Sequence, residues 1–355
     1  MIRVSYTKKY LLCDLINMKL VIEGFNKSIH KKSNRLVIKE KDEEIENIKI
    51  QDISDILIIG KGSISFDALN LIANNNVKLV SMDYYGNFNY ILESPNQNNI
   101  ELKRKQYLLS ESFNGLEIAR ELIKSKISNQ RYTLKTLNKN KKLESVKISE
   151  IKINDCINEL DDLSLNENFF KKTRMQIMGI EGKASIEYWN GVRNILPPEF
   201  DFDNRQRNAD DLVNSMLNYG YAILESEVTK NILLSGLDPY CGFLHFDMPN
   251  RTSLTYDLME EFRQQLVDKV VFTLINHKQV SLKDLDKRNN SLKLDVRKLL
   301  SSKILDKIYS TIKYNDQQIM YYQIIRMQAD NLKDAILYDK KYDGFYLRWK
   351  IWKSV

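Results

Sequence analysis

The chain has 355 residues, a net charge of +7, 43% hydrophobic residues and 28% charged residues. This composition is typical of a folded globular protein and excludes a disordered chain, and the length suffices for two domains. No apolar run approaches the roughly 18 residues that span a bilayer, so we expect no membrane partner.

Three cysteines, Cys13, Cys156 and Cys241, lie far apart and form no CxxC pair. Their odd number and wide spacing argue against a disulfide framework or a zinc knuckle and predict a cytoplasmic protein. Residues 101–147 contain twelve Lys or Arg and five Asp or Glu, so their charge excess equals that of the whole chain. Such a stretch is either a solvated helix face or a surface that neutralises phosphates.

The first 95 residues are rich in short β-branched or aromatic runs, which predict strands separated by turns. One helix is predicted over Ser65–Asn74, with Ser65 as its N-cap. Gly60 and Gly62 precede this helix, but neither a GxGxxG nor a P-loop pattern is complete. We therefore interpret both glycines as turn residues rather than as a phosphate-binding loop. The polar stretch Glu93–Asn99 is predicted to be a linker.

From about residue 100, apolar residues recur at helical spacing. After one long helix that begins near residue 100, further helices are predicted over 153–163, 168–191, 208–235, 256–276, 292–301 and about 315–338. The predicted fold class is α+β, with a small β-rich domain at residues 1–95 and a larger all-α domain at residues 96–355.

One acidic residue stands out in the stretch RMQIMGIEGKASIEYW, where Glu181 lies between Gly179 and Gly182 in an otherwise apolar helix. A carboxylate buried on such a helix costs several kcal/mol unless it is paired or binds a metal ion. The flanking glycines leave room for a ligand to approach. A position on the polar face of the helix explains Glu181 equally well.

A second stretch, HFDMPNRTSLTYDLMEEFR, contains His245, Asp257 and Glu260. The two acids are three residues apart and share a helical face. Carboxylate oxygens with one imidazole nitrogen suit Mg²⁺ or Mn²⁺, and the nitrogen favours Mn²⁺. Taken singly, the histidine is more often structural and the acids are favoured in any first helical turn. Arg263, three residues after Glu260, is placed to fix a carboxylate or to hold a phosphate.

Three sequence blocks follow one another along the chain: MGIEGKAS, DLVNSMLNYGYAILESEV and GFLHFDMPNRTSLTYDLMEEFRQQLVD. In this order they resemble the CRISPR-associated adaptation integrases, the universal first Cas protein. The β-rich block ISDILIIGKGSISFDALNLIANNNVKLVSMDYYG and the helical block KISNQRYTL extend the resemblance to most of the chain. It implies an N-terminal β domain for dimerisation and partner contact, followed by a helical, metal-dependent catalytic domain.

The resemblance also assigns site residues by position. The catalytic residues would be Glu181, His245, Asp257 and Glu260. The ligands of a Mn²⁺ or Mg²⁺ ion would be Glu181, His245 and Glu260, with Asp257 as an additional catalytic carboxylate. Glu261 stands where many members have proline, outside this set. The candidates for DNA contacts are Tyr219, Tyr256, Arg251, Arg263 and Lys183.

The implied activity is the insertion of short DNA fragments into a CRISPR array, by attack of a 3′-hydroxyl on a phosphodiester, together with related DNA cleavage. The implied partners are DNA duplexes with free 3′ ends, the repeat, a second copy of the chain in a homodimer, and a small ferredoxin-like protein, the second Cas protein. The tyrosines, which include Tyr221, would stack on splayed bases or serve as core aromatics.

Three alternatives remain. A casposon-type integrase of a mobile element is disfavoured because the ending KYDGFYLRWKIWKSV leaves no space for a helix-turn-helix module. A silent DNA-binding scaffold is disfavoured by the intact acid and histidine set. An unrelated nucleotide-binding enzyme would have to use Gly60 and Gly62.

Overall fold

The computed structural model describes residues 18–82, 88–92, 94, 100–165, 170–207, 211–246, 248–249, 251–286 and 291–347. The chain divides into two compact units, Met1–Ile100 and Glu101–Val355. The predicted boundary after residue 95 and most of the predicted linker Glu93–Asn99 lie outside the described residues. A β-sheet unit followed by a mostly helical unit confirms the predicted α+β class.

The first unit is a six-stranded sheet with the strand order β3-β2-β1-β4-β5-β6. Its elements are β1 Met18–Lys32, β2 Arg35–Glu40, β3 Glu43–Lys49, β4 Ile53–Ile64, α1 Phe66–Asn74, β5 Lys78–Met82 and β6 Phe88–Leu92. β4 pairs in parallel with β1 and with β5, whereas the outer pairs are antiparallel. Isoleucine and leucine side chains from five of the strands and from α1 form its core.

The helix α1 begins as predicted, because the Ser65 hydroxyl accepts a hydrogen bond from the Ala68 amide at 3.2 Å. Five strands coincide with the predicted runs. The long strand β1 was not among them, since Asn26 and Lys27 interrupt its apolar pattern.

The interpretation of Gly60 and Gly62 as turn residues is wrong, because both lie inside β4. Gly60 has φ +124° and pairs with Gly24, which has φ +126°. Two residues further on, a Cβ on Gly62 would lie 2.1 Å from the Lys27 carbonyl oxygen. The glycines therefore permit the register irregularity and close approach of two parallel strands.

The second unit is built from nine described helices and two short hairpins. The helices are α2 Ile100–Leu109, α3 Phe113–Lys141, α4 Glu144–Asp162, α5 Phe170–Ile195, α6 Leu212–Ser235, α7 Ser253–Met259, α8 Lys269–Asn276, α9 Leu294–Ile308 and α10 Tyr321–Tyr338. A π-helical turn, Gln264–Asp268, precedes α8. The hairpins are β7 Leu285–Asp286 with β8 Ser291–Leu292, and β9 Thr311–Tyr314 with β10 Gln317–Met320. Side chains from α2 to α10 share one large hydrophobic core.

The predicted helices exist with corrected bounds, except that the helix predicted over 256–276 is α7 and α8, separated by a turn at residues 260–262 and the π-helical turn. The helix expected from residue 100 is two helices, because Ser112 caps a new one by accepting from the Gly115 amide at 3.2 Å. α4 begins nine residues before its prediction, and residues 315–320 belong to a hairpin rather than to α10. Among the described residues, no helix is both long and apolar enough to cross a bilayer.

Candidate active site

Glu181 lies in the middle of α5 and is half-buried. Its Oε1 atom is 2.5 Å from the Lys126 ammonium and accepts a hydrogen bond from the Ser185 hydroxyl at 2.8 Å. A Cβ added to Gly179 or Gly182 would meet nothing within 4 Å. The carboxylate is therefore paired rather than isolated, and the helix on either side of it is open to an approaching molecule.

His245 follows the buried residues Phe243 and Leu244 in a loop, and Asp257 on α7 holds it in place. The fully buried Asp257 carboxylate accepts four hydrogen bonds. Oδ2 accepts from the amides of Phe243 at 2.6 Å and Leu244 at 2.8 Å. Oδ1 accepts from the His245 amide at 3.0 Å and contacts its Nδ1 atom at 2.5 Å. Because Nδ1 donates to this oxygen, the Nε2 atom of His245 keeps a lone pair for a ligand.

Arg174 holds the same loop from α5. Its guanidinium donates to the carbonyl oxygens of Leu244 and His245, both at 2.5 Å, and lies 4.4 Å from the centre of the Phe246 ring. Arg174 is two helical turns before Glu181 on α5. The backbone of the loop at His245 is thus held by Arg174 on α5, and the imidazole ring is held by Asp257 on α7.

Glu260 follows α7 and is buried. Its Oε2 atom is 2.8 Å from the Lys126 ammonium and 3.2 Å from Nε of Arg263. Lys126, on α3, therefore bridges Glu181 and Glu260. The two carboxylate oxygens it contacts are no further apart than the sum of their distances to this one nitrogen.

The charges around Glu260 control its ionisation. Burial alone would raise the pKa of Glu260, but the positive charges of Arg263 and Lys126, with a further contribution from His245, lower it to about 2. Burial works against the Lys126 ammonium, but Glu260 and Glu181 outweigh it and raise the pKa of the lysine. The acid and the lysine are therefore both charged at neutral pH.

A divalent cation can be tested against these residues. Among the described residues, no group of three or more His, Cys, Asp and Glu side chains is already arranged around a common metal position. Two of the expected donors nevertheless flank one cation, the Lys126 ammonium, and His245 is close enough to act electrostatically on Glu260. The donor chemistry fits Mg²⁺ or Mn²⁺ once the ammonium gives way.

The candidate DNA-contacting residues fall in different places. Tyr256 lies beside His245, with the two ring centres 6.2 Å apart, and the guanidinium carbon of Arg251 lies 5.3 Å from the centre of the Tyr256 ring. Tyr219 is turned towards α9, where its hydroxyl hydrogen-bonds Ser301 at 3.0 Å. Lys183 is exposed and pairs with Glu159 on α4 at 2.7 Å. The structure therefore brings Tyr256 and Arg251 to the site and leaves Tyr219 and Lys183 away from it.

Arg263 and Tyr221 are internal. Arg263 is 4.6 Å from the centre of the Tyr221 ring, and the Tyr221 hydroxyl donates to Asp268 at 2.6 Å. Tyr188 donates to the other oxygen of Asp268 at 2.8 Å. Burial raises the pKa of Asp268 to about 6 despite these two hydrogen bonds. Tyr221 is therefore a core aromatic, and Arg263 acts on Glu260 rather than facing solvent.

The segment 342–347 packs against α3 and against the residues that directly follow Glu260. The side chain of Asn129, on α3, donates to the carbonyls of Glu261 at 2.8 Å and Phe345 at 2.9 Å and accepts from the Leu347 amide at 3.0 Å. The Phe345 ring stacks on Phe262 with centroids 5.2 Å apart. Glu261, buried next to Glu260, accepts from the Tyr342 hydroxyl at 2.9 Å.

Sequence reasoning missed Lys126 and Arg174. Lys126 begins the block KISNQRYTL and Arg174 lies four residues before the block MGIEGKAS, but a lone basic residue in a charged helix carries no distinguishing mark. The usable signal for Lys126 is its surroundings: Ser125, Asn129, Gln130 and Thr133 are buried polar residues at helical spacing. A polar stripe on a buried helix indicates a polar site rather than a solvated face.

The chain is similar to known proteins over most of its length. The family model described as CRISPR associated protein Cas1 matches residues 20–309. CRISPR-associated protein Cas1 3 of Methanobrevibacter ruminantium is 56% identical over 334 residues, which cover 94% of this chain and all of that protein. CRISPR-associated endonuclease Cas1 1 of Archaeoglobus fulgidus is 37% identical over 347 residues, with coverage of 94% and 100%.

Two solved structures are also similar to this chain over most of its length. A casposase bound to its integration product is 27% identical, with a TM-score of 0.73 and coverage of 91% of this chain and 96% of that one. A chain of a partial Cas6–RT–Cas1–Cas2 complex is 22% identical, with a TM-score of 0.71 and coverage of 92% and 97%, and it shows the shared fold. On the extent of the family match and the identity to these relatives, the chain belongs to the Cas1 family of CRISPR-associated proteins.

Proposed function

We propose that this Cas1 protein is a metal-dependent DNA endonuclease and integrase of CRISPR adaptation, which inserts short DNA fragments into the array. One observation carries the proposal: Glu181 and Glu260, from two different helical segments, meet at a single cation beside a histidine whose Nε2 atom is available. The relative named an endonuclease and the casposase structure support the same chemistry.

We infer that Glu181, His245 and Glu260 hold a Mg²⁺ or Mn²⁺ ion. When bound, the ion would orient the attacking 3′-hydroxyl and neutralise charge on the phosphate. Glu260 contributes a carboxylate that stays ionised because its pKa is about 2. Asp257 orients the ring of His245 through Nδ1, and Arg174 holds its backbone carbonyl, so both act as positioning residues. This reading gives Asp257 a different role from the direct catalytic one that the resemblance implies.

The reaction is an exchange of one phosphodiester for another. The 3′ oxygen of the fragment bonds to phosphorus, and the bond from phosphorus to the 3′ oxygen of the target strand breaks. The attacking hydroxyl loses a proton and the leaving oxygen gains one, so no external energy source is required. Tyr256, beside His245, and Arg251, beside Tyr256, are the residues that we expect to contact the DNA backbone or an unstacked base.

The partners proposed are DNA with free 3′ ends, the CRISPR repeat, a second copy of the chain, and the small ferredoxin-like Cas2 protein. A solved complex that contains Cas1 and Cas2 and shares this fold supports the last of these. The cytoplasmic location predicted from the cysteines is part of the same proposal.

A joining assay tests the activity. Purified protein, with and without Cas2, is mixed with short duplexes and a supercoiled plasmid that carries a repeat, in Mn²⁺ or Mg²⁺. Glu181→Gln and Glu260→Gln should abolish covalent products. Glu187→Gln is the matched control, because Glu187 lies on the same helix, is similarly exposed and pairs with Lys152 at 2.9 Å. Joining by Glu181→Gln at the rate of the unmodified protein would contradict the site.

The casposon alternative has its own observation, the likeness to the casposase structure. A second plasmid without the repeat separates the two functions. Joining confined to the repeat supports CRISPR adaptation, whereas equal joining into both plasmids supports a mobile-element integrase. DNA binding without any joined product would indicate the non-catalytic scaffold.

A further inference from the structure

The ammonium of Lys126 lies where the proposed metal ion would have to bind. It is 2.5 Å from Oε1 of Glu181 and 2.8 Å from Oε2 of Glu260, so it contacts two of the three expected ligands at once. The lysine side chain is only 12% exposed, so water screens these contacts little.

The four groups in direct ionic contact balance without a metal ion: Glu181 and Glu260 contribute two negative charges, and Lys126 and Arg263 contribute two positive ones. A divalent cation that binds the same two carboxylates would lie next to the Lys126 ammonium, and the repulsion between two cations is costly in a buried site. One of the two basic residues must therefore withdraw, and only Lys126 contacts both carboxylates.

Arg263 is held more firmly than Lys126. Its guanidinium lies 4.6 Å from the centre of the buried Tyr221 ring, as well as close to Glu260. The lysine, in contrast, ends in a point charge on a flexible stem, which can swing away without loss of a planar contact.

We propose that Lys126 is an internal counter-ion that competes with the divalent metal for Glu181 and Glu260, so that metal binding requires the withdrawal of its ammonium. This rests on the proposed function, because it takes the same two carboxylates as metal ligands. In the metal-free protein Lys126 holds the two carboxylates together. During metal loading it lowers the affinity of the site.

The test measures Mn²⁺ binding to the full chain without DNA, by isothermal titration calorimetry. Lys126→Met removes the charge and keeps the apolar stem. We expect it to bind Mn²⁺ about tenfold more tightly than the unmodified protein and to melt at a lower temperature when metal-free. The matched control is Lys124→Met, on the same helix, whose lysine pairs with Asp161 at 2.5 Å outside the site. Its Mn²⁺ affinity should be unchanged.

Lys126→Arg keeps a positive charge at this position, and it tests the proposed competition even if Lys126→Met does not fold. A guanidinium can bridge two carboxylates more firmly than an ammonium, so Mn²⁺ binding should be weaker than in the unmodified protein. Equal or weaker affinity in a folded Lys126→Met, or equal or tighter affinity in Lys126→Arg, overturns the competition. Glu181→Gln separates the two proposals: if it binds Mn²⁺ normally, the metal site itself is misassigned.

Discussion

Asp257→Asn tests how the histidine is positioned. Each oxygen of Asp257 accepts two hydrogen bonds: Oδ2 from the amides of Phe243 and Leu244, and Oδ1 from the amide and Nδ1 of His245. An asparagine has one oxygen and one NH₂ group. With the NH₂ group towards Phe243 and Leu244, two of the four bonds are lost; with it towards His245, the bond from the His245 amide is lost and the bond to Nδ1 is reversed. Hydrogen bonds to a charged acceptor contribute about 1.5–3 kcal/mol each, and we expect a loss of about 3–5 kcal/mol of stability.

The less costly orientation keeps the oxygen on Phe243 and Leu244 and turns the NH₂ group towards His245. Nδ1 must then accept, and the ring proton moves to Nε2, which can no longer bind a cation. Loss of such an orienting carboxylate lowers metal affinity by about 10- to 100-fold. Mn²⁺ titration calorimetry, urea unfolding and the joining assay measure the three effects on one preparation.

Asp211→Asn serves as the control, because Asp211 caps α6 by accepting from the Asn214 amide at 2.7 Å, outside the site. It should cost no more than about 1 kcal/mol and leave Mn²⁺ affinity unchanged. Loss of joining by Asp257→Asn with normal Mn²⁺ affinity would refute the positioning role and restore the direct catalytic role that the family resemblance implies.

Three further predictions concern stability and are measured by urea unfolding. Burial raises the pKa of Asp268 to about 6 from 3.8, so its contribution to stability is full below pH 3.8 and is lost as pH rises through 6. Asp268→Asn should therefore be more stable than the unmodified protein at pH 8, by up to about 3 kcal/mol, and this advantage should shrink between pH 6 and pH 4. Asn129→Ala removes three hydrogen bonds, to Glu261, Phe345 and Leu347, and should lower the free energy of unfolding by about 3 kcal/mol. Gly344→Ala should destabilise by about 1–3 kcal/mol, because its Cβ would lie 1.9 Å from the Ser125 hydroxyl. Gly182→Ala, with nothing within 4 Å, should instead stabilise α5 by about 1 kcal/mol.

Each of these has an outcome that contradicts it. A difference between Asp268→Asn and the unmodified protein that does not change with pH would remove the buried carboxyl as the cause. Asn194→Ala is the control for Asn129→Ala, since Asn194 makes one exposed hydrogen bond to its own helix at 2.8 Å. Equal costs for the two would show that residues 342–347 add little. Gly344→Ala and Gly182→Ala must change the free energy of unfolding in opposite directions.

Most of the helical unit could be predicted from the sequence, and the residues of the candidate site remain a prediction. The long apolar periods mark the helices, and the ordered blocks place Glu181, His245 and Glu260. What could not be predicted was what those residues contact. Lys126 is 55 residues from Glu181, and Arg174 is 71 residues from His245. Neither pair has a local spacing rule, because each depends on how separate helices pack.

Other differences have local causes. The glycines of β4 resemble a turn because they stand between a strand and a helix, but they serve a close approach to β1. The sequence signal for the β9–β10 hairpin is the pair Asn315 and Asp316, which adopt φ of +48° and +62°, as a two-residue hairpin turn requires. The helical periodicity of the residues that follow this pair favours a helix instead.

The support of the site by residues 342–347 has a consequence for the order of synthesis. Glu261 is translated 81 residues before Tyr342, whose hydroxyl is its partner, and Asn129 is translated 216 residues before Phe345. On a translating ribosome, Asn129 and Glu261 therefore emerge well before the segment 342–347 that they contact. In a nascent chain that has not reached Tyr342, the Glu261 carboxylate and the Asn129 amide lack these hydrogen-bond partners.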